Sequence, residues 1–359
     1  MTSSRPPAMK ATIKDVAREA GVSVASVSRV MNGHPNVLPQ TRDHILQVVE
    51  RLRYTPHLGA RALITRRTRM IGVLLPDLHG EFFSELIRGI DAAAREERLH
   101  LLLSSAHGDA AEMAAAITAM HGRVEGLLIM APELDASHLG ERLDATTPVV
   151  FMNSRAQGDR PNLAVDGYRG ARAMVRHLVS CGHGSIAHIA GPPDNFDSHE
   201  RLRGYRDELA ASLPETAPLV LQGDFREASG YAAGAVLAAL RPRAAACDPR
   251  ERRPDAVFAG NDTMAIGCMS ALAERGVVVP EELAVVGFDD IPLAAFVRPK
   301  LTTMRADIAG LGRAALRRLA GVLDGAGPAR PAEPLLPPEP VVRESCGARS
   351  GPRATSPPG

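Results

Sequence analysis

The chain has 359 residues, 45% of them apolar, and a formal net charge of only +1, which allows two or three domains with substantial cores. The opening MTSSRPPAMK lacks an apolar segment and no apolar run reaches the length of a membrane span, so we expect a cytoplasmic protein without a membrane partner. Residues 1–68 hold 11 Lys and Arg against 4 Asp and Glu, which leaves a charge of −6 for the remainder. This asymmetry indicates a basic head that binds a polyanion.

The first predicted elements are three short helices near the start of the chain. Thr12 and Asp15 form the pattern of a capping box, with Asp in place of the usual Glu, and begin the first helix. Gly21 can adopt the positive φ of a tight turn, Ser23 can cap a second helix, and Pro39 begins a third. Apolar residues recur at helical spacing in these segments, namely Ile13, Val16, Ala17, Ala20, Val27, Val30, Ile45, Val48, Val49 and Leu52.

Two short helices joined by a turn that contains glycine make a helix-turn-helix, which we assign to an all-α domain at residues 10–54. The second helix carries small and hydroxyl side chains and one arginine, Arg29. Such a helix can enter a major groove, where Ser and Arg reach base edges and phosphates. Many helical bundles share this spacing, so the pattern alone leaves DNA binding and plain helical packing both open.

After Arg69 the pattern changes to short apolar runs that end abruptly in polar or glycine residues. Helical segments rich in Ala, Leu and Arg lie between most runs, which predicts parallel sheets covered by helices on both faces. The runs are too many for one sheet, so we predict two doubly wound α/β subdomains. The runs are IGVLLPD, LHLLLSS, GLLIMAP, VVFMNSR, NLAVDG, IAHIAGPP, LVLQGD, AVFAGND and LAVVGFDD.

Ligands bind such sheets at the carboxyl ends of the strands, which carry polar and aromatic side chains in this sequence. A cleft with flat apolar faces and Asp, Asn and Arg side chains suits a polyhydroxyl ring or a nucleobase. Helix capping is the alternative role for Asn261, Asp262 and Asp289, and plain core packing is the alternative for Phe83 and Phe288. The strand-end candidates are Asp77, Phe82, Phe83, Asp109, Asn153, Asp166, Phe196, Phe225, Asn261, Asp262, Phe288, Asp289, Asp290 and Phe296.

Motifs of catalysis and metal binding are scarce. The sequence contains no GxSxG, GxxxxGK[ST] or HExxH, no GxGxxG follows a strand, and the 12 histidines are scattered. The four cysteines lie far apart without a CxxC pair, and CGHG at 181–184 has no spaced partners, so we expect neither a metal framework nor a redox pair. We therefore predict no enzymatic activity, no cofactor and no metal. The cysteines are Cys181, Cys247, Cys268 and Cys346.

The segments TIKDVAREAGVSVASVSRVMNG, TRDHILQVVERLRYTP and IGVLLPD occur in this order across two unrelated folds. Together they closely resemble the lactose-repressor (LacI/GalR) family of bacterial transcription regulators, and the resemblance covers roughly residues 11–345. It implies a homodimeric repressor with a periplasmic-binding-protein-like body, a palindromic double-stranded operator and a small-molecule effector. A solute-binding protein with the same body and no regulatory DNA binding is the alternative.

The resemblance also assigns DNA contacts in the head. Val24, Ala25 and Arg29 stand where the family reads operator bases. Leu38 stands where the family has a Ser cap, so the third helix loses roughly 1 kcal/mol of capping. The other predicted contacts of the head are Thr12, Ser23, Ser26, Ser28 and Asn32, of which Ser23, Ser26 and Asn32 lie near phosphates.

Residues 55–68 resemble the hinge helix and linker of the family. Two such helices pair over the minor groove, where Leu63 would wedge between base pairs; an ordinary packed linker leucine is the alternative. Alone the helix is too short to be stable in water, and Gly59 costs it about 1 kcal/mol relative to Ala. The predicted DNA contacts here are His57, Ala60, Arg61 and Leu63, with phosphate contacts from Arg66 and Arg67.

The resemblance adds roles for several of the strand-end candidates and for Arg201. Arg201 lies in the R-x-x-G-[FYW] motif of the family, present here as RLRGY, and Phe225 matches the aromatic residue that stacks on ligands. Ala306 occupies a position that is often Gln, which indicates a smaller or differently oriented ligand. We expect a sugar or sugar phosphate first and a nucleobase or nucleoside second. The predicted effector site is Asp77, Phe82, Phe83, Asn153, Asp166, Arg201, Phe225, Asn261 and Asp289.

The resemblance implies that the chain crosses three times between the subdomains of an effector-binding and dimerisation domain at 69–345. A disordered tail is expected at 346–359, and no leucine heptads extend the C-terminus, so we expect a dimer. The first subdomain is expected at about 69–166 and 300–327, and the second at about 167–297 and 337–345.

Overall fold

The computed structural model describes residues 11–31, 36–54, 68–134, 143, 146–155, 160–240, 253–325 and 336–347. The chain forms two compact units, Met1–Thr68 and Arg69–Gly359. Among the described residues, no helix is long and apolar enough to cross a membrane.

The first unit contains the helices α1 (Ile13–Glu19), α2 (Val24–Met31) and α3 (Pro39–Arg51). The predicted capping box is confirmed: the backbone N–H of Thr12 donates to Asp15 Oδ2 at 3.0 Å, and the N–H of Asp15 donates to Thr12 Oγ1. Leu38 precedes α3 without a side-chain cap, as its apolar side chain requires. The helices enclose a small core of Val16, Ala17, Ala20, Val27, Val30, Ile45 and Val48.

The second unit alternates strands and helices. Its strands are β1 (Met70–Leu75), β2 (His100–Ser105), β3 (Gly126–Met130), β4 (Val149–Met152), β5 (Asn162–Leu163), β6 (Ile186–Ala190), β7 (Leu219–Gln222), β8 (Ala256–Ala259), β9 (Ala284–Asp289), β10 (Thr302–Arg305) and β11 (Glu339–Val341). Its helices are α4 (Glu81–Glu96), α5 (Ala110–Met120), α6 (Gly167–Ser180), α7 (Phe196–Ser212), α8 (Glu227–Ala239), α9 (Asp262–Glu274) and α10 (Ile308–Leu323), with a 3₁₀ helix at Pro292–Ala295.

These strands form two sheets, as the repeated apolar runs predict. The first sheet has the order β2-β1-β3-β4-β5 and the second the order β11-β10-β9-β8-β6-β7. Strand β11 is antiparallel to β10, and the other described pairings are parallel. Strands β3, β6 and β8 are buried along their whole length, because helices cover both faces of a parallel sheet. Helix α4 packs on α10, α6 on α7, and α8 on α9.

The chain returns to the first sheet later than the sequence predicts. Thr302–Arg305 pairs with β9 on one side and β11 on the other, so it belongs to the second sheet. The predicted segment 300–327 of the first subdomain is therefore corrected to begin after Arg305. Helix α10 then packs on β3 and β4 of the first sheet.

The contact between α4 and α10 generates a test of this packing. A Cβ atom added at Gly89 would clash with the carbonyl oxygen of Ala309, so the two helices would have to separate. We predict that Gly89→Ala lowers the free energy of unfolding by about 1–3 kcal/mol, measured by urea denaturation.

Gly321→Ala on α10 is the matched control. Apart from the chain neighbours and nearby backbone of α10 itself, no atom of the described residues lies within 4 Å of an added Cβ atom there. The better helix propensity of Ala should therefore raise the stability by up to about 1 kcal/mol. Equal stability of Gly89→Ala and the wild-type protein would contradict the close contact.

Candidate functional site

A cavity of about 520 Å³ lies between the carboxyl ends of the strands of the two sheets. This is the expected place for a ligand in doubly wound sheets. The loops after β1, β2 and β3 form one wall, and those after β6, β7, β8 and β9 form the other. The lining residues include Asp77, His79, Glu81, Phe82, Phe83, His107, Glu133, Asn195, Asp197, Arg201, Asp224, Phe225, Arg226, Glu227, Asn261, Thr263 and Asp289.

Arg201 on α7 is buried at the centre of the second wall. Its Nη2 donates to Asp289 Oδ1 at 3.1 Å, and its Nη1 donates to the carbonyl of Gly260. Its Cζ lies 3.9 Å from the centre of the Phe288 ring. One side chain thus joins α7 to the ends of β8 and β9, and Asp289 already balances its charge.

Two buried carboxyl groups face this guanidinium. Burial raises the pKa of Asp197 to about 7, against the opposing charge of Arg201 and with a further contribution from Asp289 and Glu133. Burial also raises the pKa of Asp289 to about 6, although Arg201 lowers it. For both carboxyl groups the effect of desolvation on the pKa outweighs the attraction to Arg201, so these groups bind and release protons near neutral pH.

Two buried polar atoms at the cavity have no hydrogen-bond partner in the described part of the chain. Glu133 Oε1 accepts from Asn195 Nδ2 at 2.7 Å, but Glu133 Oε2 has no donor. Arg201 Nε has no acceptor. A buried unsatisfied polar atom costs about 1–3 kcal/mol, so both atoms destabilise the structure as it stands.

The cavity lining is acidic. Only Arg201 and Arg226 among the lining residues are arginines, and Arg226 Nη2 lies 4.0 Å from Asp77 Oδ2. Burial would raise the pKa of Asp77, but backbone hydrogen bonds from His79 and Leu78 outweigh it and hold the pKa below its ordinary value. The charge of the lining therefore disfavours anionic ligands. The carboxylates of the lining are Asp77, Glu81, Glu133, Asp197, Asp224, Glu227 and Asp289.

The backbone is strained at strand ends beside the cavity. Phe225 has φ of 69° and Asp289 has φ of 113°, both in a region that residues with a Cβ atom rarely occupy. Each such residue costs about 1–3 kcal/mol and persists where the surrounding structure fixes it, which occurs most often at functional sites.

Most of the predicted effector residues line the cavity, but two do not. Asn153 is fully buried outside the lining, where its Oδ1 accepts from the N–H of Val165 at 3.0 Å. Asp166 caps α6 by accepting from the N–H of Arg169 at 2.9 Å. Both oxygens are already engaged by backbone N–H groups, whereas Asn153 Nδ2 has no hydrogen-bond partner among the described residues. Direct ligand contact by these two residues stays a prediction. The lining contains Asp77, Phe82, Phe83, Arg201, Phe225, Asn261 and Asp289 from the predicted set.

Asn261 and Asp262 differ in which of their two predicted roles they take, helix capping or ligand contact. Asn261 lines the cavity and also caps α9, because its Oδ1 accepts from the N–H of Met264 while its Nδ2 donates to the carbonyl of Phe225. Asp262 is fully buried away from the lining and accepts from Thr303 Oγ1. Ala306 is buried and does not reach the cavity.

Sequence reasoning missed Glu133, Asn195 and Asp197. Glu133 follows the apolar run GLLIMAP, so the strand-end rule could have found it. Asn195 caps α7, and Asp197 lies one turn before Arg201 on that helix, which places both beside an arginine that was predicted.

Helix α2 exposes the predicted DNA-reading face in the first unit. Ser23 caps the helix by accepting from the N–H of Ser26 at 3.1 Å, and Val24 is 42% exposed. Arg29 is exposed and forms no ion pair with the described residues. Thr12 and Ala25 are exposed and Ser26 and Ser28 are half-buried, whereas Asn32, His57, Ala60, Arg61 and Leu63 lie outside the described residues.

Two cysteines that were predicted to lie apart are neighbours. Cys181 follows α6, Cys346 follows β11, and both thiols lie beside His177. Cys346 is fully buried, because β11 carries this segment onto the second sheet. The disordered tail predicted at 346–359 is therefore wrong for Cys346. Cys247 lies outside the described residues.

Comparison with known proteins gives consistent matches. A family model for the lacI family of bacterial regulatory proteins matches residues 12–57, and one for a periplasmic binding protein-like domain matches residues 175–346. Catabolite control protein A of Priestia megaterium is 34% identical over 315 residues, which cover 87% of this chain and 92% of that protein.

Two solved structures are similar over most of their length. A lac repressor dimer bound to operator and the anti-inducer ONPF has a TM-score of 0.82 at 28% identity and covers 94% of this chain and 99% of its own. A LacI family transcriptional regulator from Enterococcus faecium with bound ribose has a TM-score of 0.68 at 27% identity and covers 78% of this chain and 100% of its own.

The raised pKa of Asp197 predicts a pH dependence of stability. A carboxyl group whose pKa is raised in the folded protein stabilises it below the unfolded pKa, and this stability is lost as the pH rises through about 7. Asp197→Asn should therefore raise the free energy of unfolding at pH 8 by less than about 4 kcal/mol and change it little at pH 4.

Denaturant unfolding of the wild-type protein and of Asp197→Asn at each pH measures the difference between their free energies of unfolding. The contributions of other titrating groups cancel in this difference, including that of buried His188, whose pKa burial lowers to about 4. Glu97→Gln, which removes an exposed carboxylate at the end of α4, is the control. A loss of stability in Asp197→Asn that is equal at pH 4 and pH 8 would contradict the assignment.

Proposed function

This chain belongs to the lacI family of bacterial regulatory proteins and is a DNA-binding transcription regulator, and we propose that it is a repressor whose operator affinity a small molecule controls from the cavity. The buried Arg201–Asp289 wall, with an unsatisfied acceptor opposite, is the observation that carries the second half of this proposal. The regulator acts on DNA in the cytoplasm, and the cavity binds its ligand without transforming it.

The DNA contacts proposed for the head rest on α2. Its buried side holds Val27 and Val30, which leaves Val24, Ala25 and Arg29 on the solvent side for base edges. Ser23, Ser26 and Thr12 at the helix starts supply hydroxyl groups for phosphates. Asn32 and the hinge residues His57, Ala60, Arg61 and Leu63 are proposed on the family resemblance alone.

The dimer gives this head its specificity. The lac repressor that resembles this chain binds its operator as a dimer. Two copies of α2 related by a two-fold axis would read a palindromic site with half-sites about one or more helical turns apart. Two hinge segments would then meet over the minor groove between the half-sites.

The effector proposed for the cavity is a neutral or cationic polyhydroxyl molecule. Glu133 Oε2 needs a donor, which a sugar hydroxyl or an amine supplies and a phosphate oxygen does not. Arg201 is paired with Asp289, so the buried cation of the lining is already neutralised, and the exposed Arg226 lies 4.0 Å from Asp77. The rings of Phe82 and Phe225 provide apolar faces for a sugar ring. The Enterococcus faecium relative holds ribose, a molecule of this class.

Ligand control follows if the molecule binds two arrangements of the subdomains unequally. Closure of the cavity would move the subdomains relative to each other and favour ordered or melted hinge segments. A differential affinity of 5–150-fold, or about 1–3 kcal/mol of coupling, is typical of such regulators.

Selection from a random duplex pool at about 150 mM salt tests the DNA-binding half, because non-specific phosphate binding is weak there. We predict an enriched inverted repeat, to which Arg29→Ala binds roughly 10–100-fold more weakly because a base contact is worth about 1–3 kcal/mol. Arg51→Ala is the control, since Arg51 on α3 pairs with Glu19 at 3.0 Å. Equal losses on the repeat and on unrelated DNA would contradict base reading by Arg29.

Thermal shift with matched sugars tests the effector half. We expect at least one of the neutral pentoses and hexoses or their 2-amino derivatives to raise the Tm. The corresponding sugar phosphates should not raise it, because the lining is acidic. Calorimetric titration of that ligand should be about 10-fold or more weaker for Glu133→Ala, while operator binding without ligand is unchanged. Leu240→Ala, which is exposed after α8, is the control. A sugar phosphate that binds more tightly than its neutral parent would overturn the assignment.

A further inference from the structure

Three metal-ligating side chains meet at the end of α6. His177 lies in the last turn of this helix, Cys181 is its C-cap, and Cys346 follows β11. His177 Nε2 lies 3.4 Å from Cys346 Sγ and 3.7 Å from Cys181 Sγ, and all three ligand atoms lie within 4.8 Å of one another.

These spacings match the edges of a metal coordination tetrahedron. With Zn–S bonds of about 2.3 Å and Zn–N bonds of about 2.0–2.1 Å, tetrahedral angles place nitrogen and sulfur about 3.6 Å apart and two sulfurs about 3.8 Å apart. The two N···S distances lie on either side of the first value, and the two sulfur atoms lie within 4.8 Å of each other. The two N···S edges therefore suit a bound cation, which would draw the sulfur atoms to the second value.

Local structure holds each ligand in place. His177 and Cys181 are four residues apart, which puts them on one face of the helix end. Cys346 is fixed by the residue before it, because Ser345 Oγ donates to the carbonyl of Val285 and accepts from the N–H of Thr302 at 2.8 Å. The His183 ring contacts the carbonyl of Cys346 through Nε2 at 3.0 Å.

The cluster is remote from the effector cavity. Ser185 and Asp255, which precede β6 and β8, lie beside His183, so the cluster is at the amino ends of these strands. The cavity lies at their carboxyl ends. Cys346 is fully buried while His177 and Cys181 are half-exposed, which gives a cation access from one side.

We propose that His177, Cys181 and Cys346 bind one Zn²⁺ ion through one neutral imidazole and two thiolates. The two thiol protons leave to solvent, and the charge of the two thiolates balances that of the ion. Three protein ligands leave the fourth tetrahedral position for water. The ion then ties the last described residues of the chain to α6 and stabilises the second subdomain independently of effector and DNA.

Titration of ZnCl₂ into full-length, untagged, chelator-treated and reduced protein tests the site. Competition with a chromogenic chelator should give one ion per chain, and Co²⁺ in its place should give the absorption of thiolate-to-metal charge transfer. Zn²⁺ should also raise the Tm of the wild-type protein. Binding and both signals should be lost in Cys181→Ala, which removes a half-exposed ligand with little risk to the fold.

Cys268→Ala is the control and should keep one ion per chain, because Cys268 is buried among apolar residues. His177→Gln should weaken binding by 10-fold or more and abolish the thermal shift. Absence of stoichiometric binding to the reduced protein would overturn the proposal, as would full binding by Cys181→Ala. A third outcome would assign Cys181 and Cys346 to a disulfide instead. In that case two titratable thiols are lost in air, and the reduced protein does not bind Zn²⁺.

Discussion

The buried ion pair between Arg201 and Asp289 is the interaction on which the effector cavity depends. Removing two charges from water costs several kcal/mol for each ion, so the pair persists only because further partners compensate it. The carbonyl of Gly260 accepts a second guanidinium hydrogen bond, and the ring of Phe288 covers one face. As a result one side chain fixes α7 against two strand ends, and the wall of the cavity is formed before a ligand arrives.

The same arrangement determines what the cavity can bind. An arginine in a cleft ordinarily attracts phosphate or carboxylate, but this one is neutralised by Asp289 and accompanied by Asp197, whose pKa burial raises to about 7. Glu133 also lines the cavity, and its Oε2 has no hydrogen-bond partner among the described residues. The acidic charge of the lining and the unpaired acceptor of Glu133 therefore both favour a ligand that donates hydrogen bonds and carries no negative charge.

The helices and strands could be predicted from the sequence, whereas the hydrogen-bond partners of individual side chains were predicted less well. Apolar periodicity and the capping box of Thr12 are local signals, so the three helices of the head and the alternating strands and helices of the body were predictable. An Asp or Asn at a strand end is compatible with both a helix cap and a ligand contact. Asp166 proved to be a cap, whereas Asn261 serves in the lining as well. The meeting of Cys181 with Cys346 depends on the antiparallel return of β11, which no local pattern encodes.

We expect ligand binding in this cavity to be linked to operator binding. The most direct measurement is the Kd of the full-length protein for its selected operator by fluorescence anisotropy, at zero and at saturating concentration of the sugar that raises the Tm most. We predict that the operator Kd changes 5–150-fold in one direction, and that the Kd for the sugar changes by the same factor when operator is saturating. An operator Kd that is unchanged by a sugar bound in the cavity would show that the two sites are not linked.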